Sequence, residues 1–161
     1  QIETRPMNNG LGLLLEGDGR GGFSAVWPAE SGILLPEDAK SLVTTDLNGD
    51  GRLDLVVGIN DAPVRAFLRT GGSPPFRIKL AGPAGNPDGI GSRLTIRMSD
   101  STIRTGELRA GGGYLSQSPA VFTFGAPVDT LPESVTVRWP DGSTTRSSFK
   151  RDKANLLIRK P

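Results

Sequence analysis

The chain contains no cysteine and no histidine. Without cysteine there is no disulfide framework, no thiolate nucleophile and no structural zinc cluster. Without histidine the commonest general base is gone, and with it the Ser-His and Cys-His nucleophile pairs. Imidazole and thiolate are also the preferred ligands of most transition metals, so a hard cation held by oxygen is the metal chemistry that remains. Long apolar runs are missing too: no segment approaches the roughly 18 residues of a membrane span. Gln1 to Gly10 shows neither the basic start nor the apolar core of a signal peptide, and the pattern begins mid-motif, as expected of a C-terminal piece of a longer protein.

What the 161 residues do contain is glycine and proline, 22 and 13 of them, between short apolar runs. Short Val-, Ile-, Leu- and Phe-bearing stretches separated by Gly, Pro, Asn and Asp predict many short strands joined by tight turns. In the first part the candidate strands are 11–15, 23–26, 42–45, 53–59 and 64–69. In the second they are 76–80, 94–98, 103–109, 120–124, 134–139, 144–149 and 155–159. "VTVRWPDGSTTRSSF" places Pro140–Gly142 between two alternating runs, a strong hairpin signal. Only "PEDAKSL", Pro36 to Leu42, has the makings of a helical turn, too short to stand alone. Strands about ten residues apart, with no long helix, predict an all-β chain.

The net charge of +2 conceals an asymmetry. Residues 1–74 hold six Lys and Arg against ten Asp and Glu; residues 75–161 hold thirteen against seven. The sign changes at "TGGSPPF", Thr70 to Phe76, which divides the chain into 1–72 and 76–161. The basic cluster "FKRDK" with Arg159 and Lys160 lacks the interleaved aromatics and recognition helix of a nucleic-acid surface. It reads as a solvated face, one that could dock on the acidic first part, and no nucleic-acid partner is expected.

The densest motif is "DLNGDGRLD", Asp46 to Asp54. Oxygen-bearing side chains recur at Asp46, Asn48 and Asp50, Gly51 permits a sharp turn, and Asp54 follows at position nine. Its start matches an EF-hand loop, but position twelve is Val57 and the flanks are β-branched runs, not amphipathic helices. A strand–loop–strand cage fits better. Calcium takes six to eight oxygens from a flexible site, and three carboxylates with one amide favour a divalent cation. Magnesium, which demands a near-ideal octahedron, fits less well. The competing account is a metal-free turn, because Asp, Asn and Gly favour turns unaided. The expected ligands are Asp46, Asn48, Asp50, the carbonyl of Arg52, and Asp54, with Ca2+ as the cofactor.

"DLNGDGRLDLVVGIND" followed by "VRAFLR" resembles an FG-GAP/VCBS repeat, the blade unit of integrin-like β-propellers. The resemblance implies calcium at the same five positions. The upstream "LLLEGDGRGGFSAV" is similar to the hairpin that ends a preceding repeat; Asp18 there has no spaced partners and reads as a turn residue. In the second part "GNPDGIGSRLTIR", "LRAGGGYLSQSPAVFTFG" and "VTVRWPDGS" together resemble the ASPIC/UnbV domain of cartilage acidic protein-like proteins. "FGAPVDTLP" departs from that pattern, where a second glycine is expected soon after Gly125. Together the two resemblances imply an FG-GAP repeat at 1–72, forming part of a propeller blade, and an ASPIC/UnbV sandwich or barrel at 76–161. That architecture implies an extracellular or cell-surface protein (periplasmic in a bacterium), with a protein or carbohydrate ligand and no established catalytic activity.

Several motifs have plainer readings. "AGGGY" lacks the helix and lysine of a phosphate loop. Tyr114, Ser116 and Gln117 offer a polar surface for a glycan or peptide, or simply a bulged loop capping a sandwich. Trp139 is expected in the core, while Trp27 fits either core or an exposed platform. Acids outside the loop (Asp88, Asp100, Glu107, Asp129, Glu133 and Asp141) sit mostly in turn contexts. The expectation is therefore a non-enzymatic module. The alternative is a carboxylate-based enzyme or accessory protein of glycan or secondary-metabolite processing. An incomplete propeller would also leave open strand edges, for self-association or for folding onto the sandwich.

Overall fold

The computed structural model describes residues 10–127, 129–149 and 154–161. The first part contains β1 (Leu14–Gly17), β2 (Phe23–Val26), a helical turn α1 (Pro28–Ser31), β3 (Ala39–Thr45), β4 (Asp54–Ile59) and β5 (Arg65–Phe67). The second contains β6 (Phe76–Ala81), β7 (Arg93–Met98), β8 (Ile103–Glu107), β9 (Val121–Phe124), β10 (Pro132–Arg138), β11 (Thr144–Ser148) and β12 (Asn155–Arg159). The all-β expectation is met, and among the described residues no sheet closes into a barrel.

The helical turn lies where the sequence reading did not place it. Pro28 occupies a first-turn position, where its missing N–H costs nothing. Gly32 ends the turn at φ 70° and donates its N–H to the Pro28 carbonyl at 2.9 Å. The segment expected to be helical instead contributes Ala39–Leu42 to β3, because Ser41 and Leu42 pair with Gly58 and Val57 of β4. A ladder of several bonds outweighs one isolated turn.

The second part is a sandwich of two sheets. One runs β11-β10-β7-β8, antiparallel throughout; the other runs β12-β6-β9, with β12 parallel to β6. Period-two alternation decides the packing. Leu94, Ile96 and Met98 of β7 and Val135 and Val137 of β10 point inward, and so do Ile78 and Leu80 of β6. Arg93, Arg97, Glu133, Arg138 and Lys79 point outward. Phe124 and Ile158 complete the facing layer, and Trp139 is buried where β10 ends. Phe76 stacks on Phe124 at 5.5 Å between ring centres, with Phe149 edge-on at 6.2 Å from Phe76.

Two glycines set this packing. Gly89 holds φ 66°, and a side chain there would sit 2.9 Å from Leu80 and 3.1 Å from the Trp139 ring. Gly106 of β8 lies under the Phe122 ring, which occupies the space a Cβ would need. The two sheets approach closely because these positions carry no side chain.

The first part is thin by comparison. β1 and β2 form a two-stranded hairpin, and β3-β4-β5 form a three-stranded antiparallel sheet. Among its described residues only Leu35, Asp54 and Val57 are buried. Leu13, Phe23 and Trp27 are largely exposed. No described strand of this part pairs with one of the sandwich. The link across is made by side chains. Ser116 donates to the Leu42 carbonyl at 3.0 Å, and the Thr44 N–H donates to Ser118 Oγ at 3.0 Å, so two serines cap the outer edge of β3.

The turn between β10 and β11 closes as the Pro-Asp-Gly signal predicts, the Gly142 N–H donating to the Trp139 carbonyl at 2.9 Å. Asp141 accepts from Lys160 Nζ, and from the Ser143 hydroxyl and N–H at 2.7 and 3.0 Å. The Lys160 ammonium, then the Ser143 donors, hold the Asp141 carboxyl well below its usual 3.8. A carboxylate depressed on folding stabilises the protein above its unfolded pKa and stops doing so as the pH falls through its folded value. The stability difference between the parent protein and Asp141→Asn should therefore be flat at neutral pH and shrink below about pH 4. Half-exposed as it is, the pair should also weaken in 1 M salt. Denaturant midpoints across pH check this; a difference that persists unchanged at the acid end would contradict it.

Candidate functional site: the Asp46–Asp54 loop

The loop joins β3 to β4, and its register is fixed by the pairing of Thr45 with Asp54. Asp46 accepts the N–H of Gly49 on Oδ1 at 2.9 Å and that of Gly51 on Oδ2 at 3.0 Å. Asn48 Oδ1 accepts from the Asp50 N–H at 3.1 Å, and Asp50 Oδ1 from the Arg52 N–H at 2.8 Å. Each is an acidic or amide side chain bonding backbone a few residues ahead, the chemistry that makes Asp and Asn turn residues. Gly49 and Gly51 hold φ of 77° and 86°, which lets the chain curl around these oxygens.

Asp54 differs from the other three. Its side chain is fully buried, and each oxygen accepts a backbone N–H: Leu47 at 2.8 Å and Arg69 at 2.9 Å. It ties the start of the loop to the chain just beyond β5. The sequence reading gave it only the role of ligand; its part as a clamp involves Arg69, 15 residues away, which no local pattern announces.

Two guanidinium groups border the loop. Arg52 reaches Asp50 Oδ2 at 3.3 Å, and Arg77, from β6 of the sandwich, reaches Asp46 Oδ2 at 3.2 Å. The Arg52 N–H, then the Asn48 amide and the Arg52 charge, lower the Asp50 pKa. The donor set is all oxygen and carries three carboxylates, which suits a hard divalent cation in kind. As the side chains stand, they are turned onto loop N–H groups and arginines. No three acids among the described residues converge into a metal-holding cluster. Asp46 Oδ1, Asp50 Oδ1 and both oxygens of Asp54 each accept one bond and keep a further lone pair, whereas Asp46 Oδ2 already accepts from both Gly51 and Arg77.

Asp18, read as a turn residue, accepts the N–H groups of Arg20 and Gly22 at 2.7 and 2.9 Å. Trp139 is in the core, and Trp27 is the exposed one of the pair. Lys150 to Lys153, the centre of the basic cluster, lie outside the described residues. No helix among the described residues is long and apolar enough to cross a membrane.

Two family models match this architecture. Residues 40–68, spanning β3, the loop, β4 and β5, match the FG-GAP repeat. Residues 82–159, spanning most of the sandwich, match the family described as ASPIC and UnbV. The chain carries an FG-GAP repeat followed by an ASPIC/UnbV domain. No curated protein matches it. The Asp46–Asp54 loop thus belongs to the FG-GAP repeat, a unit typical of extracellular and cell-surface proteins. Arg77, its ion-pair partner from the second part of the chain, stands on β6 just before the span matched to ASPIC and UnbV.

Proposed function

We propose that this is a non-catalytic, calcium-stabilised interaction module of an extracellular or cell-surface protein. The observation that carries the reading is the oxygen-only loop of a matched FG-GAP repeat, with Asp46, Asn48 and Asp50 curled around one turn and Asp54 anchoring it. Asp46, Asn48, Asp50, the Arg52 carbonyl and Asp54 would hold the ion. Bound calcium supplies charge neutralisation and cross-linking of the loop. Asp46 and Asp50 would exchange their arginine contacts for it, and Asp54 would keep the loop closed from beneath. The β3–β5 sheet, poor in core, is the part that gains from such a brace.

A binding role also accounts for the acids outside the loop. Asp88, Asp100, Glu107, Asp129, Glu133 and Asp141 are all exposed. Asp100 is held by the Thr102 hydroxyl and N–H, and those bonds lower its pKa. A general acid needs the opposite shift, upward through burial. The carboxyls with a resolved shift (Glu37, Asp38, Asp50, Asp100 and Asp141) are all lowered.

Extracellular modules bind calcium with Kd of about 10⁻⁴–10⁻³ M, so 10 mM Ca2+ should stabilise by about 1–3 kcal/mol. For a chain of this size that is a rise in melting temperature of a few degrees. EDTA should reverse it, and Asp50→Asn should blunt it. Thermal melts with calcium, magnesium and EDTA make the test; identical melting temperatures in all three would remove calcium from the proposal.

A further inference from the structure

Between the FG-GAP sheet and the ASPIC/UnbV sandwich lies an open cleft of about 990 Å³, the upper end of the range for ligand sites. One wall is the outer edge of β3, another the start of β9, and the loop bearing Tyr114 and Gln117 forms the mouth. Three properties of its lining define what fits.

The first is charge. Every charged side chain in the wall is already in an ion pair: Lys40 with Asp38, Arg77 with Asp46, and Arg109 with Glu107. These pairs balance the charge of the wall, so a charged ligand gains little net attraction there. The second is a set of hydroxyl and amide groups along the cleft: Ser41, Thr44, Thr45, Gln117, Ser118 and Thr123. These groups donate and accept at short range without carrying charge. The third is Tyr114, a residue 70 % exposed although it borders the cleft. A polar-tipped aromatic face beside hydroxyl groups suits a ligand with both apolar C–H faces and many hydroxyls.

An extended peptide would use a different feature, a free strand edge to which it could add. The β3 edge that faces this cleft is capped at the Leu42 carbonyl and the Thr44 N–H by Ser116 and Ser118. We propose that the cleft binds a neutral glycan chain, with the Tyr114 ring stacked on a sugar face and Gln117 among the groups that bond its hydroxyls. This rests on the reading of the chain as an interaction module and names the class of ligand.

The protein contains a single tyrosine. Incorporating 3-fluorotyrosine therefore puts one ¹⁹F reporter at the cleft mouth of the full chain. It is titrated with cellohexaose, chitohexaose and mannohexaose, with heparin as a charged glycan, and with a neutral Ser/Thr/Gly-rich peptide. Calorimetry on unlabelled protein runs alongside. The expected result is a saturable ¹⁹F shift with at least one neutral hexaose, and calorimetric binding weakened roughly fivefold or more by Tyr114→Ala. Gln117→Ala should also weaken it, while Trp27→Ala, outside the cleft, should not. No heat and no shift with any neutral hexaose up to about 10 mM, a Kd beyond any specific site, would overturn the proposal. So would a response to heparin or to the peptide alone. Peptide binding would leave the interaction-module reading standing while the glycan assignment falls, and hexaose binding that leaves the ¹⁹F signal unmoved would move the site elsewhere.

Discussion

Replacing Trp139 with alanine should cost the ASPIC/UnbV sandwich about 3–5 kcal/mol, the usual loss when a large core aromatic is truncated. The residue is 2 % exposed, and its ring lies beside the backbone of Gly89 in the core cluster that holds Leu80. Its Nε1–H donates to Thr145 Oγ1 at 2.8 Å, tying β10 to β11 above the core. Its backbone also forms both bonds of the turn, donating to Ser143 and accepting from Gly142, each at 2.9 Å. Those backbone bonds survive the substitution, so the loss reports the cavity and the orphaned Thr145 hydroxyl. Trp139→Phe separates the two: it keeps most of the ring and should cost about 1–3 kcal/mol. Urea denaturation followed by far-UV circular dichroism gives the numbers. A loss under about 1 kcal/mol for alanine would mean that the pocket collapses around the deletion and that Trp139 is not the keystone its burial indicates.

The second large effect is expected at Asp54. Truncation to alanine takes the acceptors from two part-buried backbone N–H groups, of Leu47 and Arg69, at up to about 1–3 kcal/mol each. The expected total is roughly 2–5 kcal/mol, confined to the FG-GAP sheet because no described strand of that sheet pairs with the sandwich. Asp54→Asn keeps the size and one acceptor but aims a donor at the second N–H, so it should recover only part of the loss. Hydrogen exchange resolves the location: β3 to β5 should lose protection while β7 and β10 keep theirs. The calcium response should go with the clamp, since an open loop no longer gathers Asp46, Asn48 and Asp50. Unchanged protection in β3 to β5 would show that the ladder alone holds the loop shut.

Much of this architecture could be read from residue order, for identifiable reasons. Alternating apolar and polar positions mark β7 and β10 because one face of each meets a buried layer and the other meets water. Pro-Asp-Gly announces the β10–β11 turn, since proline presets φ and glycine accepts the positive φ that follows. The FG-GAP loop is legible because its oxygens and glycines are close in sequence and bond within a few residues of one another. The helical turn at Pro28–Ser31 was also within reach, through Pro at its start and Gly at its end. Residue order alone favours Pro36–Leu42 instead, where partnership with β4 decides the conformation.

What was not legible involves partners far apart in the chain. Arg77 meets Asp46 across 31 residues, and Ser116 and Ser118 cap β3 across 74. The exposure of Trp27 and Tyr114 depends on what the fold brings near them, which no local pattern encodes. Local order by itself determined the strands, the turns and the oxygen-rich loop, because these depend on backbone preference and on contacts a few residues apart. Tertiary structure alone decided that Asp54 is a clamp, that Arg77 sits on the loop and that a charge-balanced cleft opens between the two parts. Those outcomes depend on which distant side chains share a small volume once two sheets have packed.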